Sequence, residues 1–470
     1  VAFDCIQDPD TIEGYLCDAS NRKGHATGLV RPQSTQEISE IIRHCQAEQI
    51  PLTVSAQRTS TTGGPVPDGG WILSMEKCDR TLWIKGVQAR VQGGTILGAF
   101  QNEIAAAGLV FPPDPTSRHE CTIGAAIACN ASGAKSFRYG PTRPWIEAIE
   151  VVLPSGEILE VTRQDPIPAD WPTVDWQPPR IKSAAGYFPA DNLLDLFIGQ
   201  EGTLGVITEA TLRLIPAPES TFSILCFFPS INACLDFVGK LKAGAAQNDS
   251  VSPCSIEFYG PNAIHWIRAE ASTLSESARY GIWCEQEGTL SEEDDRLDAW
   301  LELLESAGAN LDETIFAQDD AGRRRLARIR HAVPAGINEQ VVANGMPKVG
   351  TDCAVPWSAL PEMMAAYAAV GLPHVLFGHI GDSHLHLNML PKNPQELAQA
   401  KAIYRALCQK AVQLGGTVSA EHGIGKLKKE HLAEMVGGQV IAQFQRLKAH
   451  LDPNWILGRG NLFTRLDSKQ

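Results

Sequence analysis

Leu52-Thr53-Val54-Ser55-Ala56-Gln57-Arg58-Thr59-Ser60-Thr61-Thr62-Gly63-Gly64 runs from a short apolar strand straight into a loop of small and hydroxyl residues with a single arginine. Residues 27–54, leading up to it, read strand, helix, strand. Ser34 and Glu37 form a capping-box pattern, and Ile38, Ile41, Ile42 and Cys45 recur at i, i+3, i+4 and i+7, one apolar helical face. A loop of this kind after a strand presents backbone N–H groups and hydroxyls to an anion, most simply a phosphate. It matches neither a Walker loop nor GxGxxG, and an ordinary turn is the competing reading.

Working outward, strands dominate from about 83 to 215. Residues 146–153, the turn Pro154-Ser155-Gly156 and residues 158–161 predict a hairpin. The run Thr122-Ile123-Gly124-Ala125-Ala126-Ile127-Ala128-Cys129-Asn130-Ala131-Ser132-Gly133-Ala134 is poor in bulky side chains. Such a run lets backbone approach backbone, or a flat ligand. Gly199-Gln200-Glu201-Gly202-Thr203-Leu204-Gly205 is a second such place, followed by an alternating strand over 206–214. Pro216-Ala217-Pro218 marks a boundary. Helices and strands mix over 219–410, where Leu297, Trp300, Leu301 and Leu304 predict an amphipathic helix capped by Ser291. The last stretch reads as a helical tail, so the chain divides as 1–218, 219–410 and 411–470.

Composition narrows the function. The 470 residues are 44% hydrophobic and 20% charged, an ordinary globular balance. A net charge of −14 repels phosphate backbones, so nucleic acid is not an expected partner. None of the 12 cysteines forms a C-x-x-C pair, which argues against a zinc ribbon or an iron–sulfur cluster held by this chain. Scattered cysteines fit a reducing compartment. No apolar run reaches the ~20 residues of a membrane helix, and no secretory signal opens the sequence as given. A cytoplasmic protein, at most peripheral to a membrane, is the expectation, with a homodimer left open.

The densest ligand cluster is Gly378-His379-Ile380-Gly381-Asp382-Ser383-His384-Leu385-His386-Leu387-Asn388. Strand alternation sends His384, His386 and Asn388 to one face, and the glycine turn can bring His379 back toward it. Two imidazoles and a carboxylate would make an open metal site; a polar strand end with histidines bonded to carbonyls is the alternative. In Ser419-Ala420-Glu421-His422-Gly423-Ile424-Gly425-Lys426 the glycines permit a turn in which one of Glu421 and His422 is a ligand and the other a base. The alternative there is a helix start with Glu421 in its first turn. The basic run Arg323-Arg324-Arg325, Arg328 and Arg330 reads as a solvated helix face from which one member can turn inward to hold a carboxylate. Lys348 is a further cation.

In order, these segments resemble the FAD-linked oxidases of the vanillyl-alcohol-oxidase type, specifically the D-2-hydroxyacid dehydrogenases of D-lactate, glycolate and D-2-hydroxyglutarate. The match runs from about 27 to 463, with further landmarks at Pro112-Pro113-Asp114-Pro115-Thr116, Tyr139-Gly140-Pro141-Thr142-Arg143, 182–187 and Leu451-Asp452-Pro453. The resemblance implies an α+β protein: a two-lobed PCMH-type FAD-binding domain, an antiparallel-sheet cap domain for substrate, and a C-terminal helical segment returning to the flavin. It implies FAD held by Ser55, Ala56, Gln57, Arg58, Thr59, Ser60, Gly63, Gly64, Pro113, Asp114, Cys121, Thr122, Gly124, Ala125, Ala128, Asn130, Ser132, Gly133, Tyr139, Glu201, Gly202, Val206, Ile207 and Asn461. It implies a divalent metal, zinc, manganese or iron, on His379, His386 and Glu421, a His422 base, an Arg330 that binds the substrate carboxylate, and Lys348 as a second cation.

The implied reaction oxidises a small D-2-hydroxyacid, D-lactate first, then D-2-hydroxyglutarate or glycolate, and passes electrons to an external quinone, cytochrome, electron-transfer flavoprotein or iron–sulfur subunit. A non-catalytic electron-transfer subunit is the alternative of another class. The chain departs from the family pattern at Ala56, Ser60 and Ala125, where glycine is usual, at Ser183, where asparagine is usual, and at Ser383-His384, where Gly-Asn is usual. His384 is therefore an additional candidate ligand.

Overall fold

A computed structural model describes residues 3–247, 249–271, 274–276 and 278–465. The chain separates into two compact units. The first comprises Val1–Gly133, Gly140–Ala217 and Val418–Gln470; the second comprises Ala134–Tyr139 and Pro218–Thr417.

Besides the two-stranded pair Leu109–Val110 and Ile215–Pro216, the first unit carries two sheets. One has four strands in the order Cys5–Ile6, Gly28–Val30, Trp71–Ser74, Leu52–Ser55, the last three mutually parallel. Parallel strands need a crossover, and the helix Thr35–Ala47 carries the chain from Gly28–Val30 to Leu52–Ser55, on either side of Trp71–Ser74. Its start is close to the expected capping box: Ser34 Oγ accepts from Glu37 N at 3.2 Å, but Glu37 Oε2 accepts from Gln33 N, one residue before the cap, at 2.9 Å. Its apolar face, Ile38, Ile41, Ile42 and Cys45, is buried against Leu52, Leu73, Val152 and Val206. The other sheet is antiparallel, in the order Thr81–Lys85, Gln88–Gln92, Val206–Arg213, Ile146–Val152, Ile158–Thr162. The last two strands form the expected hairpin. The small-residue run contains a six-residue helix, Ile123–Ala128, capped by Thr122. The helices Lys429–Val436 and Gly438–Leu451 of the C-terminal stretch belong to this unit.

The second unit is built on one seven-stranded antiparallel sheet, in the order Ile315–Ala317, Ser220–Phe228, Tyr280–Gly288, Ser255–Tyr259, His374–His379, His384–Met389, Val349–Gly350. Alternation divides the side chains between two faces. One face, with Leu225, Phe227, Tyr259, Trp283 and Val375, packs against helices Pro261–Glu270 and Asp320–Asn344 through Ile264, Ile267, Leu326, Ile329 and Val333. Of the basic run, Arg324, Arg325 and Arg328 are exposed as expected, whereas Arg323 bonds the Thr221 carbonyl and Arg330 is half-buried. The predicted amphipathic helix forms over Glu293–Ser306, but its N-cap residue is Glu292, with no side-chain capping bond. Ser291 instead lies in a 3₁₀ turn, Leu290–Glu292, with its hydroxyl 3.3 Å from that of Thr289. No helix among the described residues is long and apolar enough to cross a membrane.

Trp300 of that helix is fully buried, edge-on to Phe222 and Phe237, with its indole N–H bonded to Gln286 Oε1 at 2.8 Å. Trp300→Ala should cost about 3–5 kcal/mol, read as a lower urea midpoint for this unit. An unchanged midpoint would contradict the packing described.

Candidate functional site

In the first unit a cavity of about 500 Å³ is walled by the 56–61 loop, Gly93, parts of 115–132, Gln200–Gly202, Gly205–Ile207, Gly458 and Asn461, together with Glu421 and His422. The walls are small side chains, with Ala56, Gly64, Gly93, Gly124, Ala125, Ala128, Ala131, Gly202 and Gly205 all lining. Backbone approach makes the slot: Gly124 N donates to Gly93 O at 2.8 Å, and a Cβ on Gly124 would stand 2.7 Å from that oxygen.

Of the residues the resemblance assigns to the cofactor, Ala56, Gln57, Arg58, Thr59, Ser60, Gly64, Cys121, Thr122, Gly124, Ala125, Ala128, Ser132, Glu201, Gly202, Val206, Ile207 and Asn461 line the cavity. Ser55, Gly63, Pro113, Asp114, Asn130 and Gly133 are not in its wall. Gly63 N is taken by Asp18 Oδ2 at 2.9 Å, and Asn130 Oδ1 accepts from Arg143 N at 2.9 Å. Tyr139 belongs to the second unit, where its hydroxyl bonds Glu287. Met75, Gly93 and Gly458 line the slot without having been expected to.

The slot fits a flat dinucleotide. Hydroxyls of Thr59, Ser60 and Thr61 and the Arg58 guanidinium offer donors for a pyrophosphate. Ser132 is 4% exposed, lines the cavity, and its Oγ has no hydrogen-bond partner among the described residues. A buried hydroxyl left without a partner is costly unless a ligand satisfies it.

Glu421 and His422 stand in a turn, and the helix that follows begins only at Lys429, so the helix-start reading of Glu421 is set aside. Lys182 Nζ bonds Glu421 Oε2 at 2.9 Å, and Glu421 Oε1 lies 3.5 Å from His422 Nε2. Asn461 closes the wall: its amide donates to Gly64 O at 3.1 Å and Glu201 O at 3.0 Å, and it accepts from Lys426 Nζ at 2.7 Å.

In the second unit the strand register sets His379 opposite His384 and Phe377 opposite His386. One ring nitrogen from each of His379, His384 and His386 lies within 4.8 Å of the others. Their anchors differ. His379 Nδ1 is 2.6 Å from Glu257 Oε1, a buried carboxylate, and His386 Nδ1 is 3.3 Å from Thr351 O. An acceptor near Nδ1 of each ring is the arrangement usual behind a histidine that binds a metal through Nε2. His384 differs, with Nε2 rather than Nδ1 facing a carboxylate, 3.0 Å from Asp352 Oδ1.

Arg330 Nη2 is 3.4 Å from Glu257 Oε2, and its guanidinium lies 5.4 Å from the Trp283 ring centre. Lys348 is exposed, two residues before Gly350, which pairs with Asn388. Glu257, Thr351 and Asp352 escaped the sequence reading. A lone acid in the apolar strand Ser-Ile-Glu-Phe-Tyr was the one available signal for Glu257.

The FAD binding domain model matches residues 26–162, and the model of FAD linked oxidases, C-terminal domain, matches residues 217–462. The chain belongs to the FAD-linked oxidases. It is accordingly an FAD-dependent oxidoreductase with a PCMH-type FAD-binding domain and a C-terminal domain. A D-2-hydroxyglutarate dehydrogenase of Xanthomonas citri pv. viticola is 30% identical over 98% of this chain and 94% of that protein. The glycolate oxidase subunit GlcD of Bacillus subtilis is 29% identical over 93% of this chain and 89% of that protein. A D-lactate dehydrogenase of Anaerostipes hadrus is 28% identical over 93% of this chain and 90% of that protein. A solved alkyldihydroxyacetonephosphate synthase superposes with a TM-score of 0.71 at 16% identity, over 97% of this chain and 81% of that one, which is a likeness of fold.

Asn461→Leu keeps the side chain's size but leaves Gly64 O, Glu201 O and Lys426 Nζ each short of a partner. At about 1–3 kcal/mol for a buried group left unsatisfied, the purified variant should melt earlier and carry less FAD. Wild-type flavin content and melting would remove Asn461 from the wall's support.

Proposed function

We propose that this FAD-linked oxidase dehydrogenates a small D-2-hydroxyacid, with D-lactate as first candidate, to the 2-oxoacid. The observation that carries the reading is the pair of imidazoles held at Nδ1, His379 by Glu257 and His386 by Thr351 O. A buried carboxylate behind one imidazole and a carbonyl behind the other match the backing that metal-binding histidines use. The assigned ligands are His379, His386 and Glu421, with His384 turned toward Asp352 and left out of the set. The likeness to a D-2-hydroxyglutarate dehydrogenase, a glycolate oxidase subunit and a D-lactate dehydrogenase supports the substrate class.

When bound, FAD supplies a hydride acceptor, and a divalent cation supplies a Lewis acid for the hydroxyl oxygen. The chain does the rest. His422 accepts the hydroxyl proton, a task for an imidazole, whose charge changes near neutral pH. His422 Nε2 lies 3.5 Å from Glu421 Oε1, so the base and the assigned ligand stand side by side in one turn. Arg330 offers its planar fork to the substrate carboxylate, and Trp283 stacks near the guanidinium and limits its swing. The small-residue walls of the slot let the backbone come close to the flavin. Electrons then leave to an external acceptor.

D-2-hydroxyglutarate is the second reading. It is favoured by Lys348, a cation beside the edge strand that pairs with the His386 strand and a counter-charge for a second carboxylate.

His422→Ala should abolish flavin reduction by the hydroxyacid while the protein stays yellow. A full rate in that variant would end the base assignment. Chelation should slow turnover without releasing FAD, and an undiminished rate after verified metal removal would end the metal assignment.

A further inference from the structure

Glu201 has a left-handed backbone, φ +52°, an uncommon state for a residue with a side chain. The residue is 7% exposed. Its carboxylate accepts from two successive backbone amides, Ile424 N at Oε1 and Gly425 N at Oε2, both at 2.7 Å. The turn is moulded on this carboxylate: Gly423 has φ +74°, and a Cβ there would stand 2.9 Å from Glu201 Oε1. From the other side, Ser419 Oγ donates to Gly423 O at 2.7 Å, and Lys428 Nζ donates to Ser419 Oγ at 3.1 Å. The backbone of Glu201 is tied as firmly. Its N–H donates to Ala128 O at 2.8 Å, at the end of the slot-lining helix, and its carbonyl accepts from Asn461 Nδ2 at 3.0 Å. One residue thus joins the slot wall to the three residues that directly follow His422.

We propose that Glu201 is a positioning residue for His422: its carboxylate sets the 423–425 turn and thereby where the imidazole stands in the cavity wall. The proposal rests on the reading of His422 as the base. Two carboxylate oxygens match two amide donors, and no neutral isostere does so. Glutamine keeps the shape but sets an NH₂ against one of the two N–H groups, so one amide loses its acceptor and the turn shifts. Burial pushes the Glu201 carboxyl up to about 7, and the two amides, with Lys428 and Lys426, pull it back down.

The test is Glu201→Gln in the FAD-loaded protein, read by hydrogen exchange at the 423–425 amides and by anaerobic flavin reduction. Exchange should rise at Ile424 and Gly425. The reduction rate constant should fall about 100-fold, the cost of a base misplaced by about 1 Å, while the hydroxyacid dissociation constant and the flavin content hold. Unchanged exchange with an unchanged rate overturns the proposal. Loss of FAD with normal exchange overturns it too, because Glu201 would then serve the cofactor directly. Where Glu201→Gln fails to fold, Ser419→Ala removes the brace on Gly423 O and should raise exchange at the same amides and lower the rate. Faster exchange with no rate loss in that variant overturns the proposal. His422→Ala, run beside these, separates the two failures. A fully active His422→Ala removes the base reading, whereas an inactive one beside a normal Glu201→Gln removes only the positioning role.

Discussion

The Asn461 side chain is the tie on which the flavin slot depends. Its amide group bonds Gly64 O, Glu201 O and Lys426 Nζ, so the hydroxyl-rich loop, the 199–205 turn and the C-terminal tail meet at one planar group. These segments are separated by as many as 397 residues in sequence. Closing so long a loop is entropically costly, and a fully satisfied buried amide holds the closure in one geometry. The absence of bulk does the remainder. Where Gly124 meets the Gly93 carbonyl, backbone replaces side chain, and a Cβ there would stand 2.7 Å from that oxygen.

In the second unit the governing constraint is the two-residue period of the sheet. Glu257 and Tyr259 share a face with Trp283, His379, His384 and His386 because the register pairs Glu257 with Trp283 and sets residue 258 opposite Gly378. Most of that face is an apolar core under the helix Asp320–Asn344. At its end the same face becomes polar, and each charge there has a partner: Glu257 takes both His379 and Arg330. A carboxylate this buried would be a burden without those partners, and with them it aims an imidazole.

Much of this was readable in order along the chain. The crossover helix announces itself through Ser34, Glu37 and a four-residue apolar face, all local signals. The hairpin at 146–162 and the alternation of His384, His386 and Asn388 are local too. What could not be read is what sequence separation hides. Glu257 is 122 residues from His379, and Thr351 is 35 from His386. The 199–205 turn was legible as a tight turn, but its bonds to Ile424 and Gly425 cross more than 220 residues. Ser291 misled because a serine before an acidic first turn looks like a cap, whereas an intervening 3₁₀ turn moves the helix start to Glu293. Family likeness, carried by many short motifs in fixed order, reached further than any one of them and put the tail back at the flavin slot.

Flavin and hydroxyacid chemistry meet in one observation, the visible absorption spectrum of the purified protein before and after anaerobic addition of D-lactate. The account predicts an oxidised flavin spectrum that bleaches on addition. A protein with no flavin spectrum, or a bound flavin that no 2-hydroxyacid reduces, would contradict it.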